Sequence, residues 1–193
     1  MHRNLTSHDP EATVALAAAL GRALPAGVTL ALDGDLGAGK TTFVRGLAAG
    51  LGIDEGVASP TYTLMQSHDG GRLPLYHFDA WMEGREKAFL ADGADELLGR
   101  DGVAVVEWAD RVGEWLPRPR LSVRLAHLDV ERRRIRIEVV VGAEEAGPGP
   151  LQGALEALLG SLELPEGVVE DAPGRSENEE TLNRASEGSF RRR

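Results

Sequence analysis

The chain has 193 residues, no cysteine and a formal net charge of −10. That length suits one domain, and the missing thiols exclude disulfides, thiolate metal sites and cysteine nucleophiles. No stretch reaches the ~18 consecutive apolar residues of a membrane span and the N-terminus lacks a signal-peptide apolar core, so a cytoplasmic protein without a membrane partner is expected. The charge is uneven: residues 142–193 carry 5 Lys+Arg against 11 Asp+Glu, while residues 1–141 carry 16 against 20. Such a balance argues against a large direct footprint on nucleic-acid phosphates, though not against acting on nucleic acid through a partner.

In chain order, Asp9-Pro10 reads as an N-cap and first helical residue, opening a helix to about Leu24. Val28–Asp33 is a short apolar run and reads as a buried strand. A glycine-rich loop, 34–40, follows, then a helix over 41–51 closed by Gly52. Residues 62–68 and 74–79 read as strands flanking the turn Asp69-Gly70-Gly71. Residues 84–99 look helical in two pieces around Gly93. Val103–Glu107 is a second fully apolar strand, followed by a short helix to about Leu116. Residues 121–128 and 135–141 alternate as half-buried strands. Apolar strands interleaved with helices predict an α/β fold, and the hairpins predict a mixed parallel/antiparallel sheet flanked by helices. The composition shifts at Gly142, so one domain is expected over 1–141 and an acidic, flexible tail over 142–193. Within that tail, 151–162 has helical apolar spacing. It reads as a short helix packed on its own domain or formed transiently, with a partner-docking helix as the alternative.

Gly34-Asp35-Leu36-Gly37-Ala38-Gly39-Lys40-Thr41 fits G-x-x-x-x-G-K-[ST] at every position, between an apolar strand and a helix. In such a loop, glycines let successive backbone N–H groups point at phosphate oxygens, and the helix adds the positive end of its dipole. Lys40 is expected on the β- and γ-phosphates, the Thr41 hydroxyl on Mg²⁺, and Thr42 as a further phosphate donor. The three asparagines, Asn4, Asn178 and Asn183, are not followed by lysine. The Asn-Lys-x-Asp guanine-reading motif is therefore missing, which points to ATP. Asp79 and Glu107 each close an apolar strand, where one could order the metal and the other polarise the attacking water. Thr61, 20 residues beyond Thr41, lies in a segment that could reach the γ-phosphate. Trp108 reads either as a stacking partner for the base or as a core residue. His77 reads as a satisfied core histidine, and Arg111, Arg118, Arg120 and Arg124 read either as a substrate clamp or, the reading this composition favours, as scattered solvated residues.

The loop through Thr42, the segment Ser59-Pro60-Thr61-Tyr62-Thr63-Leu64, the run Tyr76-His77-Phe78-Asp79 and the run Val106-Glu107-Trp108-Ala109-Asp110 together resemble the TsaE (YjeE) family over about residues 10–141. The resemblance implies a P-loop NTPase domain that binds ATP and Mg²⁺ through Asp35, Leu36, Gly37, Ala38, Gly39, Lys40, Thr41 and Thr42. It implies Thr61 in a switch-like segment, Asp79 as the Walker B-like acid, Glu107 as a second acid near the metal, and Trp108 beside the nucleotide. It further implies ATP hydrolysis, weak without partners, that supports the TsaD and TsaB proteins in making N6-threonylcarbamoyladenosine at position 37 of tRNA. Contact with tRNA would be indirect, through that complex. One departure is plain: where the family continues to Tyr-Arg, this chain has Trp81-Met82. A small P-loop kinase and a nucleotide-dependent binding module without turnover are the competing readings.

Overall fold

The computed structural model describes residues 1–54, 56–81, 94–142 and 149–172. Its elements run β1 (His2–Ser7), α1 (Pro10–Ala23), β2 (Val28–Asp33), α2 (Lys40–Leu51), β3 (Met65–His68), β4 (Leu75–Asp79), α3 (Ala94–Leu97), β5 (Val103–Glu107), β6 (Arg120–His127), β7 (Arg133–Val140), α4 (Pro150–Ser161) and β8 (Val168–Glu170). All eight strands form one sheet in the order β3-β4-β5-β2-β6-β7-β1-β8. The four inner neighbours β4, β5, β2 and β6 are parallel. Antiparallel strands extend both sides, β3 on β4 and then β7, β1 and β8 beyond β6. The α/β fold with a mixed sheet, expected from the apolar strands and hairpins, is what forms.

The apolar strands are apolar because they lie in the middle. β2 and β5 have helices or loops on both faces, and every residue of β5 is buried. On one face, Leu30, Leu32, Val103 and Val105 pack under α1, α2 and α4. On the other, Ala31, Ala104, Val106 and Phe78 pack against α3 and the turn that follows β5. α1 starts as its sequence requires, with the Asp9 carboxylate accepting the Ala12 N–H at 2.6 Å and Pro10 in the first turn. The α1–α2 seam is made of glycines. A Cβ at Gly50 would lie 2.2 Å from the Ala18 carbonyl oxygen, and one at Gly46 2.5 Å from that of Val14. The two helix backbones therefore touch, and this fixes the height of α2 above the sheet.

Several elements differ from their sequence reading. β1 has no apolar period, yet its backbone pairs antiparallel with β7 from His2↔Glu138 to Ser7↔Arg133. β3 begins at Met65 rather than 62, because Leu64 turns at φ 65° and donates its N–H to the Pro60 carbonyl at 2.7 Å. After β5 there is only a 3-10 turn, Ala109–Arg111. The first helical piece expected in 84–99 lies outside the described residues; the second forms as α3. The expected flexibility of 142–193 does not describe 149–172. Leu155, Leu158 and Leu159 of α4 are buried in the main core. β8 pairs with β1, and the Arg3 guanidinium reaches the Leu159 and Leu162 carbonyls and the Glu170 carboxylate. The amphipathic helix read at 151–162 thus docks on its own domain. Among the described residues, no helix is long and apolar enough to cross a membrane.

Gly50→Ala should lower the unfolding free energy by about 1–3 kcal/mol, the usual penalty for overpacking a close seam. Urea unfolding would measure it, and an unchanged midpoint would mean the α1–α2 contact is not rigid.

Candidate functional site

The parallel strands β2, β5 and β4 end side by side, and their carboxyl ends carry Asp33, Glu107 and Asp79. Such an edge is where α/β sheets place ligands. The chain leaves β2 through the glycine loop and returns as α2. Gly34 is held at φ 143°, where a Cβ would sit 2.3 Å from the Leu125 carbonyl oxygen, and Gly39 caps α2 at φ 102°. Gly39 brings no side chain, and no side chain caps α2. The first-turn N–H groups are thereby kept for another acceptor.

These elements surround a cavity of about 420 Å³. The loop and α2 contribute Leu36, Gly37, Gly39, Lys40, Thr41, Thr42 and Arg45; the segment after α2 adds Ser59 and Thr61; the ends of β4 and β5 add Asp79, Trp81, Glu107 and Trp108. Most of the residues singled out in the sequence therefore meet in one place. Two do not line it. Ala38 is fully buried beneath the loop, where its carbonyl accepts from the Arg133 guanidinium at 3.1 Å. Asp35 is exposed and takes part through its carbonyl.

Lys40 is 6% exposed. Its ammonium donates to the Gly34 and Asp35 carbonyls at 2.6 and 2.9 Å and lies 3.5 Å from the centre of a Trp108 ring, a cation–π contact. Burial lowers its pKa from the ordinary lysine value; the charges of Glu107, Asp79, Asp33 and Asp35 act in the opposite sense. A lysine held so, in a cavity rimmed by carbonyls, is poised to exchange them for anionic oxygens. The Trp108 indole therefore faces the lysine. The residue itself takes the left-handed conformation, φ 58°, which aims it back across the loop.

The two strand-end acids have separate partners. Glu107, 2% exposed, accepts the Thr41 hydroxyl (3.0 and 3.2 Å to its two oxygens), and its Oε1 lies 2.9 Å from His77 Nε2. Asp79, 3% exposed, accepts the Ser59 and Thr61 hydroxyls on Oδ2, both at 2.6 Å, and the Trp81 N–H on Oδ1 at 2.9 Å. Glu107 is thus tied to the helix start and Asp79 to the segment after α2. Among the described residues there is no cluster of three or more His, Cys, Asp or Glu able to hold a metal unaided. The Thr41 hydroxyl and the carboxylates of Glu107 and Asp79 are the groups there that could hold Mg²⁺, which takes few protein oxygens and completes its shell with phosphates and water.

The sequence reading does not single out Trp81 as a wall residue, and it places Arg111 among four arginines that either clamp a substrate or are merely solvated. The two indoles pack 4.3 Å apart, and Arg111 lies 5.1 Å over Trp81 while donating to the Trp81 carbonyl. The spacing of Trp81 two residues past a strand-end acid was the available signal. Arg120 is instead buried, on the Leu116 carbonyl, and Arg118, Arg120 and Arg124 do not line the cavity.

Fold and loop define an α/β protein with a mixed sheet, in which a glycine-rich loop joins a central parallel strand to a helix. The family model described as "Threonylcarbamoyl adenosine biosynthesis protein TsaE" matches residues 7–135. A relative named tRNA threonylcarbamoyladenosine biosynthesis protein TsaE from Bacillus subtilis (strain 168) is 42% identical over 132 residues, covering 68% of this chain and 82% of its own. The protein of the same name from Treponema pallidum (strain Nichols) is 42% identical over 118 residues, covering 61% and 87%. The crystal structure of Bacillus subtilis YdiB superposes with a TM-score of 0.67 at 33% identity, covering 82% of this chain and 95% of that one. The chain belongs to the TsaE family. α4 and β8 lie beyond the matched residues.

Asp79→Ala should free the segment 59–64, since its two donors, Ser59 and Thr61, lose a charged acceptor. Charge-assisted bonds of this kind are each worth about 1.5–3 kcal/mol. Faster amide exchange at Thr61–Leu64 would be the readout; exchange equal to wild type would show that Asp79 does not hold the segment.

Proposed function

We propose that this protein binds ATP with Mg²⁺ and hydrolyses it in support of tRNA threonylcarbamoyladenosine biosynthesis, the process for which its relatives are named. The observation that carries the reading is the convergence of Lys40, Thr41, Asp79 and Glu107 on one cavity at the start of α2. TsaD and TsaB are the proposed partners. tRNA would be met only through them, in keeping with the acidic balance of the chain.

Each residue has a role that follows from its position. The first-turn N–H groups of α2 and the Lys40 ammonium would take the β- and γ-phosphate oxygens, Lys40 giving up the Gly34 and Asp35 carbonyls. Thr41 and Glu107 stand together and would hold the metal, which when bound neutralises charge on the phosphates. Asp79 would keep Ser59 and Thr61 at the γ-phosphate end and, with Glu107, supply the carboxylates near the attacking water. Catalysis would be electrostatic: positive groups placed where charge develops, with water as acceptor. Partner proteins would complete the site; missing charge-stabilising or water-ordering groups slow P-loop enzymes by roughly 10³–10⁵-fold.

Lys40→Ala should abolish phosphate release from ATP while the protein stays folded by circular dichroism, and Glu107→Ala should reduce turnover more than nucleotide affinity. Full activity in the lysine variant would sink the assignment, and a phosphorylated acceptor in place of free phosphate would favour a kinase. In the host, depletion should lower threonylcarbamoyladenosine in bulk tRNA by nucleoside mass spectrometry, with rescue by wild type and not by Lys40→Ala.

A further inference from the structure

His77 has no part in the roles above, yet it is fully buried beside them. It lies two residues before Asp79 on β4, with its Nε2 2.9 Å from Glu107 Oε1. Among the described residues its Nδ1 has no hydrogen-bond partner. An ionised carboxylate only accepts, so the shared proton belongs on Nε2. A bare nitrogen lone pair at Nδ1 is then what burial leaves alone; a proton there would be a buried donor with no acceptor. Glu107 thereby sets the tautomer of His77.

The converse matters more. Glu107 is gripped from two elements, by Thr41 on α2 and by His77 on β4. Oε1 receives the imidazole and the shorter Thr41 approach of 3.0 Å, whereas Oε2 has only the longer one of 3.2 Å. Of the two oxygens, Oε2 keeps the more lone-pair capacity for a ligand in the cavity that Glu107 lines.

We propose that His77 is a positioning residue, holding the Glu107 carboxylate in the orientation that offers Oε2, beside the Thr41 hydroxyl, to the metal of a bound nucleotide. This inference rests on the nucleotide reading above. It assigns His77 a task that core packing alone would not, because what is needed is an N–H at the Nε2 position, not merely the ring's volume. Partners standing behind a metal-ligating group act in this way generally, fixing its orientation and basicity.

The test uses the full chain as wild type, His77→Ala and His77→Gln. ADP affinity is measured calorimetrically with Mg²⁺ and with EDTA, alongside kcat and KM for ATP. His77→Ala should lose about 10–100-fold in kcat and in the Mg²⁺-dependent gain in ADP affinity, with affinity in EDTA within about twofold of wild type. His77→Gln, whose amide can donate towards the same oxygen, should recover most of both. A wild-type Mg²⁺ gain in His77→Ala would overturn the inference, as would equal loss of EDTA affinity in both variants, the mark of a residue that only supports the fold. Should the alanine variant fail to fold, the glutamine variant decides by keeping or losing the Mg²⁺ gain. Wild type that binds no ADP in either condition would remove the nucleotide reading and this inference with it. Wild type that binds Mg²⁺-ADP beside an unaffected His77→Ala removes the inference alone.

Discussion

Burying a carboxylate is costly unless its oxygens are bonded, and the arrangement of this protein follows from how that is done for Glu107. The residue ends a strand in the centre of the sheet, where water has little access. Its partners must come from neighbouring elements, and they do: Thr41 from the helix above and His77 from the strand beside it. One side chain thus ties β5, α2 and β4 together at the point where the cavity opens. The glycine seam between α1 and α2 serves the same end, since a helix lifted by side chains at Gly46 and Gly50 would not bring Thr41 within reach.

The cavity has an uneven construction. Its floor is rigid: strand ends, the glycine loop and the first turn of α2. Its rim is held by hydroxyls, with Ser59 and Thr61 meeting on a single oxygen of Asp79. Opposite, the two indoles and Arg111 form a stacked wall, and Trp108 covers Lys40. Aromatic faces there limit water near the ammonium, and that desolvation is what lowers its pKa. Two large hydrophobic side chains that line the cavity, Leu36 and Trp81, are left to solvent.

Away from the site, the sheet is completed by strands with little hydrophobic pattern. β1 and β8 extend the β7 edge, and α4 lays leucines over the core next to them. Residues 149–172 lie outside the family match, yet Arg3 binds them to the N-terminal strand by carbonyls and a carboxylate. The sheet edge thereby passes from the six-residue β1 to the three-residue β8, a shorter template for unwanted pairing.

The loop, the strand before it, the helix after it and the strand-end acids were legible in the sequence, because each depends on local chemistry. Glycines are needed where φ is positive, apolar runs mark strands buried on two faces, and a lysine and threonine at a helix start have a defined reach. β1 was not legible because its pairing partner lies over a hundred positions away, the docking of α4 because its buried face meets a core assembled from separate elements, and the late start of β3 because it depends on the left-handed turn at Leu64. The same holds within the site. His77 carries no local mark that separates it from a core residue, and the place of Trp81 two residues past Asp79 does not say what the indole packs on. Only the sheet order, which sets β4 beside β5 and β5 beside β2, decides that an imidazole meets Glu107, that two indoles meet each other and that one of them, Trp108, meets a lysine. Sequence by itself determined which groups the site contains. Tertiary structure decided which of them touch, since hydrogen bonds and ring contacts act over a few ångströms while the chain brings those groups from separate elements.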